Sequence, residues 1–334
     1  VAQLRRPSTT VGLVIAVIAA ASFGTSGAFL KPMLESGWSP AAAVTFRALI
    51  GAVVLLPFTL VSLRGRWSAL WRARWRLLIM ALVGVAATQL VYITAISLVP
   101  ISTAVLIEYM APLLLVAAAW IRSRKLPKLV VLIGSAVALV GLVLVVGPSG
   151  HGAINWFGLA FAFLGAIGCA VYYVIAAKPS EGLPPVALAG SGLVLGGIAL
   201  LVVGVAGIVP FAMKFGTVHL FGTVAPWWLP LVIVGVVGTG IAYATSITAS
   251  EILGSRLASF MGLLEVVFAA LYAWLLLGQD LSVFQLIGGV LILGGIAFVR
   301  SEKSDDAPLE PLAVTTEIPV HRETVSTATS PIDL

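Results

Sequence analysis

Between Thr10 and Arg300 the chain alternates long apolar runs with short polar gaps, and the runs are continuous rather than alternating apolar with polar positions. A hydrocarbon layer about 30 Å thick is crossed by about 20 apolar residues in a helix. Ten runs reach that length, at 11–30, 41–63, 76–98, 101–121, 129–147, 155–177, 184–208, 227–249, 256–277 and 283–300. Their continuity predicts helices and argues against the dyad pattern of a membrane β-barrel. The longest gap, 209–226, is too short to fold alone, so the runs form one bundle. The pattern thus predicts an all-α polytopic membrane protein with ten transmembrane helices.

Composition agrees, since only 10% of residues are charged where a soluble domain has about 25%. The net charge of +6 raises nucleic acid as a partner, but the placement of the charges argues against it. If the chain starts in the cytoplasm and crosses ten times, fifteen Lys and Arg fall inside, among them Arg5, Arg6, Arg64–Arg76 and Arg122–Lys128. Only Lys31 and Lys214 fall outside. That bias places both termini in the cytoplasm. Tryptophans fall at span ends, Trp38, Trp156, Trp227, Trp228 and Trp274 outside and Trp67, Trp71, Trp75 and Trp120 inside, as an aromatic belt requires.

Residues 1–10 read as a cytoplasmic N-terminus, with Arg5 and Arg6 ahead of a retained first helix rather than a cleaved signal. The tail 301–334 is rich in Ser, Thr, Pro, Glu and Asp and reads as a disordered cytoplasmic end. The segment 64–76, RGRWSALWRARWR, reads as an interfacial helix or loop with indoles at the acyl boundary and arginines near headgroups. A single cysteine, Cys169, rules out an intrachain disulfide.

The chain also repeats. Shifted by 154 residues, 112–141 lies on 266–295 without a gap, matching Trp120 to Trp274, Gly134 to Gly288 and Gly141 to Gly295. The shift carries the fourth and fifth spans onto the ninth and tenth. Five spans is an odd number, so two copies at 11–147 and 155–300 lie inverted in the membrane. Charge supports this: Arg122, Arg124, Lys125 and Lys128 meet Leu276, Gly278, Gln279 and Ser282.

Several stretches carry a family resemblance: Phe23-Gly24-Thr25-Ser26 in the first helix, Phe46-Arg47-Ala48-Leu49 in the second, and Glu265–Ala270, Leu277–Leu281 and Gln285–Gly288 in the last hairpin. By these the chain resembles the drug/metabolite transporter superfamily, EamA type, over residues 10–300. Its proline in the fourth helix is kept at Pro112, whereas Val266 stands where the ninth helix usually has one. Gln279 replaces the usual acidic residue after Leu-Gly, and Phe23 the usual tryptophan. The resemblance implies two inverted five-helix halves and proton-driven export of amino acids, related metabolites or small drugs.

Few ionisable groups lie deep in the spans, and such groups face a partner or a cavity. They are Arg47, Glu108 and Glu265. Glu108 precedes Tyr109 and stands one turn before Pro112, whose missing N–H frees the Glu108 carbonyl and predicts a kink. Glu108 is therefore a candidate for solute binding or proton carriage, weighed against a structural hydrogen-bonded carboxyl. For Glu265 a bond to a neighbouring helix is the competing reading. Arg47 pairs with either carboxyl, meets an anionic group of the solute, or snorkels. Ser26, Gln89, Tyr92, Tyr109, Tyr172, Tyr173 and Tyr243 add hydroxyls and an amide that line a mixed aromatic pocket or bond helix to helix. Glycine spacings such as Gly134 with Ala138 and Gly288 with Gly295 point to close packing within the bundle or to a dimer face.

No HExxH, Cys/His cluster, P-loop or TVGYG filter occurs, so neither metal nor cofactor is expected. The reading is a secondary transporter in the cell membrane, monomeric or homodimeric, whose partners are a small-molecule solute and membrane lipids. The alternatives are an intramembrane enzyme or lipid-handling protein, which needs a deep nucleophile–base pair, and a passive channel, which needs recurring polar rings.

Overall fold

The computed structural model describes residues 8–147, 155–179 and 182–301. The first seven residues, His151 and the tail from 302 onward lie outside the described residues, and with them Arg5, Arg6 and the expected disorder of the tail.

Ten described helices are long and apolar enough to span a membrane: α1 Thr9–Glu35, α2 Pro40–Ser62, α3 Arg74–Leu98, α4 Ile101–Ser123, α5 Leu129–Val146, α6 Trp156–Ala176, α7 Pro185–Val205, α8 Trp228–Leu253, α9 Ser255–Leu277 and α10 Val283–Ser301. The chain is thus an all-α polytopic membrane protein. Local chemistry sets many of the ends. Ser8, Ser39 and Asn155 accept backbone N–H bonds in the first turns of α1, α2 and α6. Arg124 and Gly278 close α4 and α9 in the left-handed region, at φ 53 and 64.

Three details differ from the sequence reading. First, α1 runs five residues past 30, through Pro32 to Glu35, because the chain meets no residue that reverses it before Gly37 at φ 104. Second, the connector after α7 folds into a hairpin of β1 Thr217–Leu220 and β2 Thr223–Pro226, paired Thr217 to Pro226 and Leu220 to Thr223. Its two-residue turn, Phe221-Gly222, has positive φ at both positions (52 and 80), the twist a tight hairpin needs. Third, Trp38 does not face the membrane interface. It is 3% exposed, stacked on Trp227 and edge-on to Phe46 and Phe215, with its indole N–H donated to the Lys214 carbonyl at 2.7 Å. The segment 64–76 contains a short helix, Trp67–Arg72, before α3 begins.

Backbone events recur at the 154-residue spacing. α4 is interrupted between Ile101–Glu108 and Ala111–Ser123, and α9 between Ser255–Gly262 and Leu264–Leu277. α3 and α8 each pass through a π-helical stretch, Met80–Ala87 and Val236–Ile241. The helix pairs recur too. α5 packs most extensively on α10 and α2 on α7; α1 packs on α8 and α9, while α6 packs on α3 and α4.

Glycines set the closest approaches. In lipid, helices associate by close packing and polar contacts rather than by expelling water. A Cβ on Gly141 would stand 2.6 Å from the Gly288 carbonyl oxygen, and one on Gly295 would stand 2.6 Å from that of Gly134. The spacing noticed in the sequence therefore serves the α5–α10 contact. Gly27 of α1 has nothing within 4 Å of the corresponding position. Gly141→Val is accordingly expected to destabilise the fold by about 1–3 kcal/mol, the usual cost of overpacking. Gly27→Ala should be neutral or gain up to about 1 kcal/mol of helix propensity. Thermal unfolding of the two purified variants in one detergent checks the contrast, and equal midpoints would contradict the packing.

Candidate functional site

The interior group is assembled on α1, α2, α3, α4, α6, α8 and α9. The Phe23-Gly24 pair shows how. A Cβ at Gly24 would lie 2.8 Å from Phe268 Cβ and 3.1 Å from the Glu265 carbonyl oxygen, so its absence lets α1 lie against α9 beside Glu265. Phe23, freed to turn inward, meets Tyr243 edge-on at 5.3 Å. Tyr243 meets Tyr172 at 5.7 Å, and Tyr172 meets Tyr173 at 5.2 Å. These four rings make a continuous aromatic wall from α1 through α8 to α6.

The break in α4 places Glu108 and Tyr109 at the end of its first segment. Pro112 has no N–H to return to the Glu108 carbonyl, and Met110 N–H bonds Ile107 at 3.0 Å instead. The kink expected at Pro112 is therefore present as a break of the helix. The Tyr109 hydroxyl donates to the Glu265 carboxyl. Glu108 faces Gly165 of α6, where an added Cβ would be 3.9 Å from its Cδ. Glu108, Glu265, Arg47 and Tyr92 are close enough to interact electrostatically, and so are Cys169 and both carboxyls.

Arg47 is not in an ion pair with either carboxyl; among the described residues its Nη1 donates to Ser26 Oγ at 3.2 Å. Ser26 in turn stands over Gly238 of the π-helical stretch in α8. Gln89 is half-buried on α3, three residues before Tyr92. Arg47, Glu108, Tyr109, Glu265 and Tyr173 all keep solvent-accessible surface despite their depth, whereas Tyr172 and Tyr243 are buried. The structure therefore brings Ser26, Arg47, Tyr92, Glu108, Tyr109, Tyr172, Tyr173, Tyr243 and Glu265 into one neighbourhood.

Beside Glu265, Phe23, Tyr173, Ser246, Ser250 and Met261 enclose a chamber of about 10 Å³, room for about one water. A larger recess of about 400 Å³ lies under the hairpin, between Lys31, Glu35, His219, Phe221, Leu276 and Gln279. In this conformation the deep chamber is water-sized and the roomy one is at the end of the bundle.

Sequence reasoning passed over Cys169, Ser246, Ser250 and Gly262. Cys169 had a readable signal: it stands four residues before Tyr173 on α6 and so shares its face. Gly262 did not. Its role is to leave room for the Tyr173 hydroxyl, which a Cβ there would strike.

Known proteins resemble this chain in sequence and in fold. The sequence pattern of the EamA-like transporter family matches twice, at residues 10–147 and 156–301. A protein of Salmonella typhimurium described as the uncharacterized inner membrane transporter YicL is 25% identical over 302 residues, covering 87% of this chain and 96% of its own. An uncharacterized transporter of Archaeoglobus fulgidus is 26% identical over 286 residues, covering 86% and 95%. A solved crystal structure superposes with a TM-score of 0.67 at 22% identity, covering 87% of this chain and 97% of that one, and so shares the fold.

The fit of Gly262 to Tyr173 gives a paired test. Gly262→Ala is expected to lower stability by about 1–3 kcal/mol, as overpacking does. Adding Tyr173→Phe removes the oxygen that the new methyl meets and should restore much of the loss. A double variant no more stable than Gly262→Ala, measured by thermal unfolding, would break the assignment.

Proposed function

This chain belongs to the EamA-like transporter family, and from that premise we propose that it is a secondary transporter whose solute site is the group around Glu108, Glu265 and Arg47. That it is a multi-pass membrane transporter follows from the family and the ten spans. The finer reading is export of an amino acid or related small metabolite across the cytoplasmic membrane, coupled to proton entry, by alternating access of two inverted halves with both termini in the cytoplasm.

The observation that supports this reading is the joint placement of two carboxyls, one guanidinium without a carboxylate partner and an aromatic wall between helices that depart from α geometry at matching positions. A proton carrier must alternate between charged and neutral forms as its surroundings change. Glu108 is half-buried, faces Gly165 of α6 and lies in the field of a second carboxyl. Glu265 accepts a hydrogen bond from the Tyr109 hydroxyl. Arg47 offers a planar donor fork to an anionic group. The interrupted helices and the π-helical stretches are points at which the packed halves can pivot.

Solute flux in liposomes with an imposed pH gradient tests the coupling. The wild type should accumulate solute saturably against its gradient, and Glu108→Gln should lose that accumulation while still exchanging labelled for unlabelled solute. Equal accumulation by Glu108→Gln from acidic to neutral pH would remove Glu108 from the proton path. Lipid turnover without flux would replace the transporter reading altogether. Inversion has its own check. In a Cys169→Ala background, Lys125→Cys and Gln279→Cys should react with an impermeant thiol reagent from opposite faces of the membrane; labelling from one face contradicts it.

A further inference from the structure

We propose that the arginine–tryptophan turn between α2 and α3 is a binding site for the headgroup of an acidic phospholipid. This inference is independent of which solute the interior carries.

The turn has two faces. Ala69 is 1% exposed, and Leu70 and Ala73 pack on the same core, which fixes one face against the bundle. Trp67, Trp71 and Trp75 follow each other at four-residue intervals and point the other way, 55%, 73% and 66% exposed. Their rings therefore have little protein to rest on. The Arg74 guanidinium lies between two of them, 5.2 Å from the Trp71 ring centre and 5.8 Å from that of Trp75. Stacking of this kind holds the charged plane in place, and the Arg74 Nη1 bond to the Trp71 carbonyl at 3.1 Å adds to it.

The same turn concentrates positive charge. Arg64, Arg66, Arg72 and Arg74 fall within eleven residues that contain no acid. Among the described residues, none of the four is in an ion pair. A phosphodiester suits this arrangement, since its oxygens accept paired bonds from guanidinium groups. The apolar surroundings select a lipid as its source. Leu78, Ile79 and Leu82 continue the exposed surface along α3, so the indoles lie at the edge of a hydrocarbon-facing strip. Tryptophan rings with adjoining arginines at such an edge suit the acyl boundary and headgroup layer of one lipid molecule.

Arg76 connects this site to the interior. It donates to the Ile175 carbonyl in the last turn of α6 at 3.2 Å and to the Lys178 and Pro179 carbonyls just beyond it at 2.7 and 2.8 Å. Tyr172 and Tyr173 stand one turn earlier on that helix. A headgroup that fixes the turn thereby fixes the end of the helix that carries the aromatic wall.

The test uses the purified full chain in a neutral detergent, titrated with phosphatidylglycerol, phosphatidylcholine or inorganic phosphate while thermal unfolding is followed. Phosphatidylglycerol should stabilise the protein at lower concentration than phosphatidylcholine, and added salt should erase the difference. Arg72→Gln and Arg74→Gln should each weaken the phosphatidylglycerol effect about fivefold, the loss expected for one cation near an acidic surface. Trp71→Leu should weaken it with the charge intact. Equal stabilisation by phosphatidylcholine, an unchanged preference in the double arginine variant, or an equal effect of inorganic phosphate would each overturn the proposal. The salt titration of the wild type keeps it falsifiable if a variant fails to fold. Neither arm reads transport, so failure here leaves the solute site untouched.

Discussion

Backbone hydrogen bonding in the absence of water governs this fold. Inside hydrocarbon an unpaired N–H or C=O has no solvent to turn to, so a span leaves α geometry only where protein covers it. Among the described residues the spans depart at four places, and each is mended locally. At the α4 break Met110 bonds Ile107, and at the α9 break Leu263 bonds Phe260, three residues back instead of four. After the π-helical stretch of α3, the Thr88 hydroxyl donates to the Val83 carbonyl at 2.6 Å; after that of α8, Thr245 donates to Ile241 at 2.6 Å. The departures sit on the helices that surround the charged group. Irregular backbone and buried chemistry occupy the same region because the cover that permits one also shelters the other.

Glycine divides the bundle into stiff and open parts. Where Gly141 meets Gly288 and Gly134 meets Gly295, the helices approach so closely that no side chain intervenes. α5 and α10 form a peripheral brace of this kind. Gly24 serves differently: it brings α1 onto α9 and turns Phe23 into the interior. Around it the packing gives way to rings, hydroxyls and three ionisable groups that retain accessible surface.

The sequence shows the spans plainly, because twenty apolar residues in a row admit few other readings. It also shows the deep ionisable residues, since Arg47, Glu108 and Glu265 stand out against apolar neighbours. Other features were less legible for physical reasons. The hairpin was announced by two Thr-Val segments around Phe221-Gly222, a short signal lost among the stronger apolar runs. The π-helical stretches have no composition of their own; they arise when one residue too many is fitted into a turn, and neighbouring helices decide that. Trp38 has the position of an interface anchor, yet the loop carrying Lys214 and Phe215 covers it. Gly262 could be understood only once Tyr173 was seen above it.

Pro112 explains the α4 break locally, but its counterpart in the ninth helix is Val266, which has an N–H and uses it on Leu263 at 3.2 Å. The same interruption thus forms with and without proline, so packing imposes it and proline only makes it cheaper. The chemistry is not duplicated with the backbone. Glu108 corresponds to Gly262, and Glu265 to Ala111, at the 154-residue spacing. Counted from the prolines that open α2 and α7, Arg47 corresponds to Gly192. One carboxyl precedes its break, the other follows its own, and the guanidinium occurs on one side only. A repeated frame can exchange two arrangements of similar energy because its parts are alike. On the proposed reading, a polar group present in a single copy gives the solute one set of partners in both. In the proposed transporter, a duplicated frame around an unduplicated polar group is what presenting one solute alternately to two faces requires.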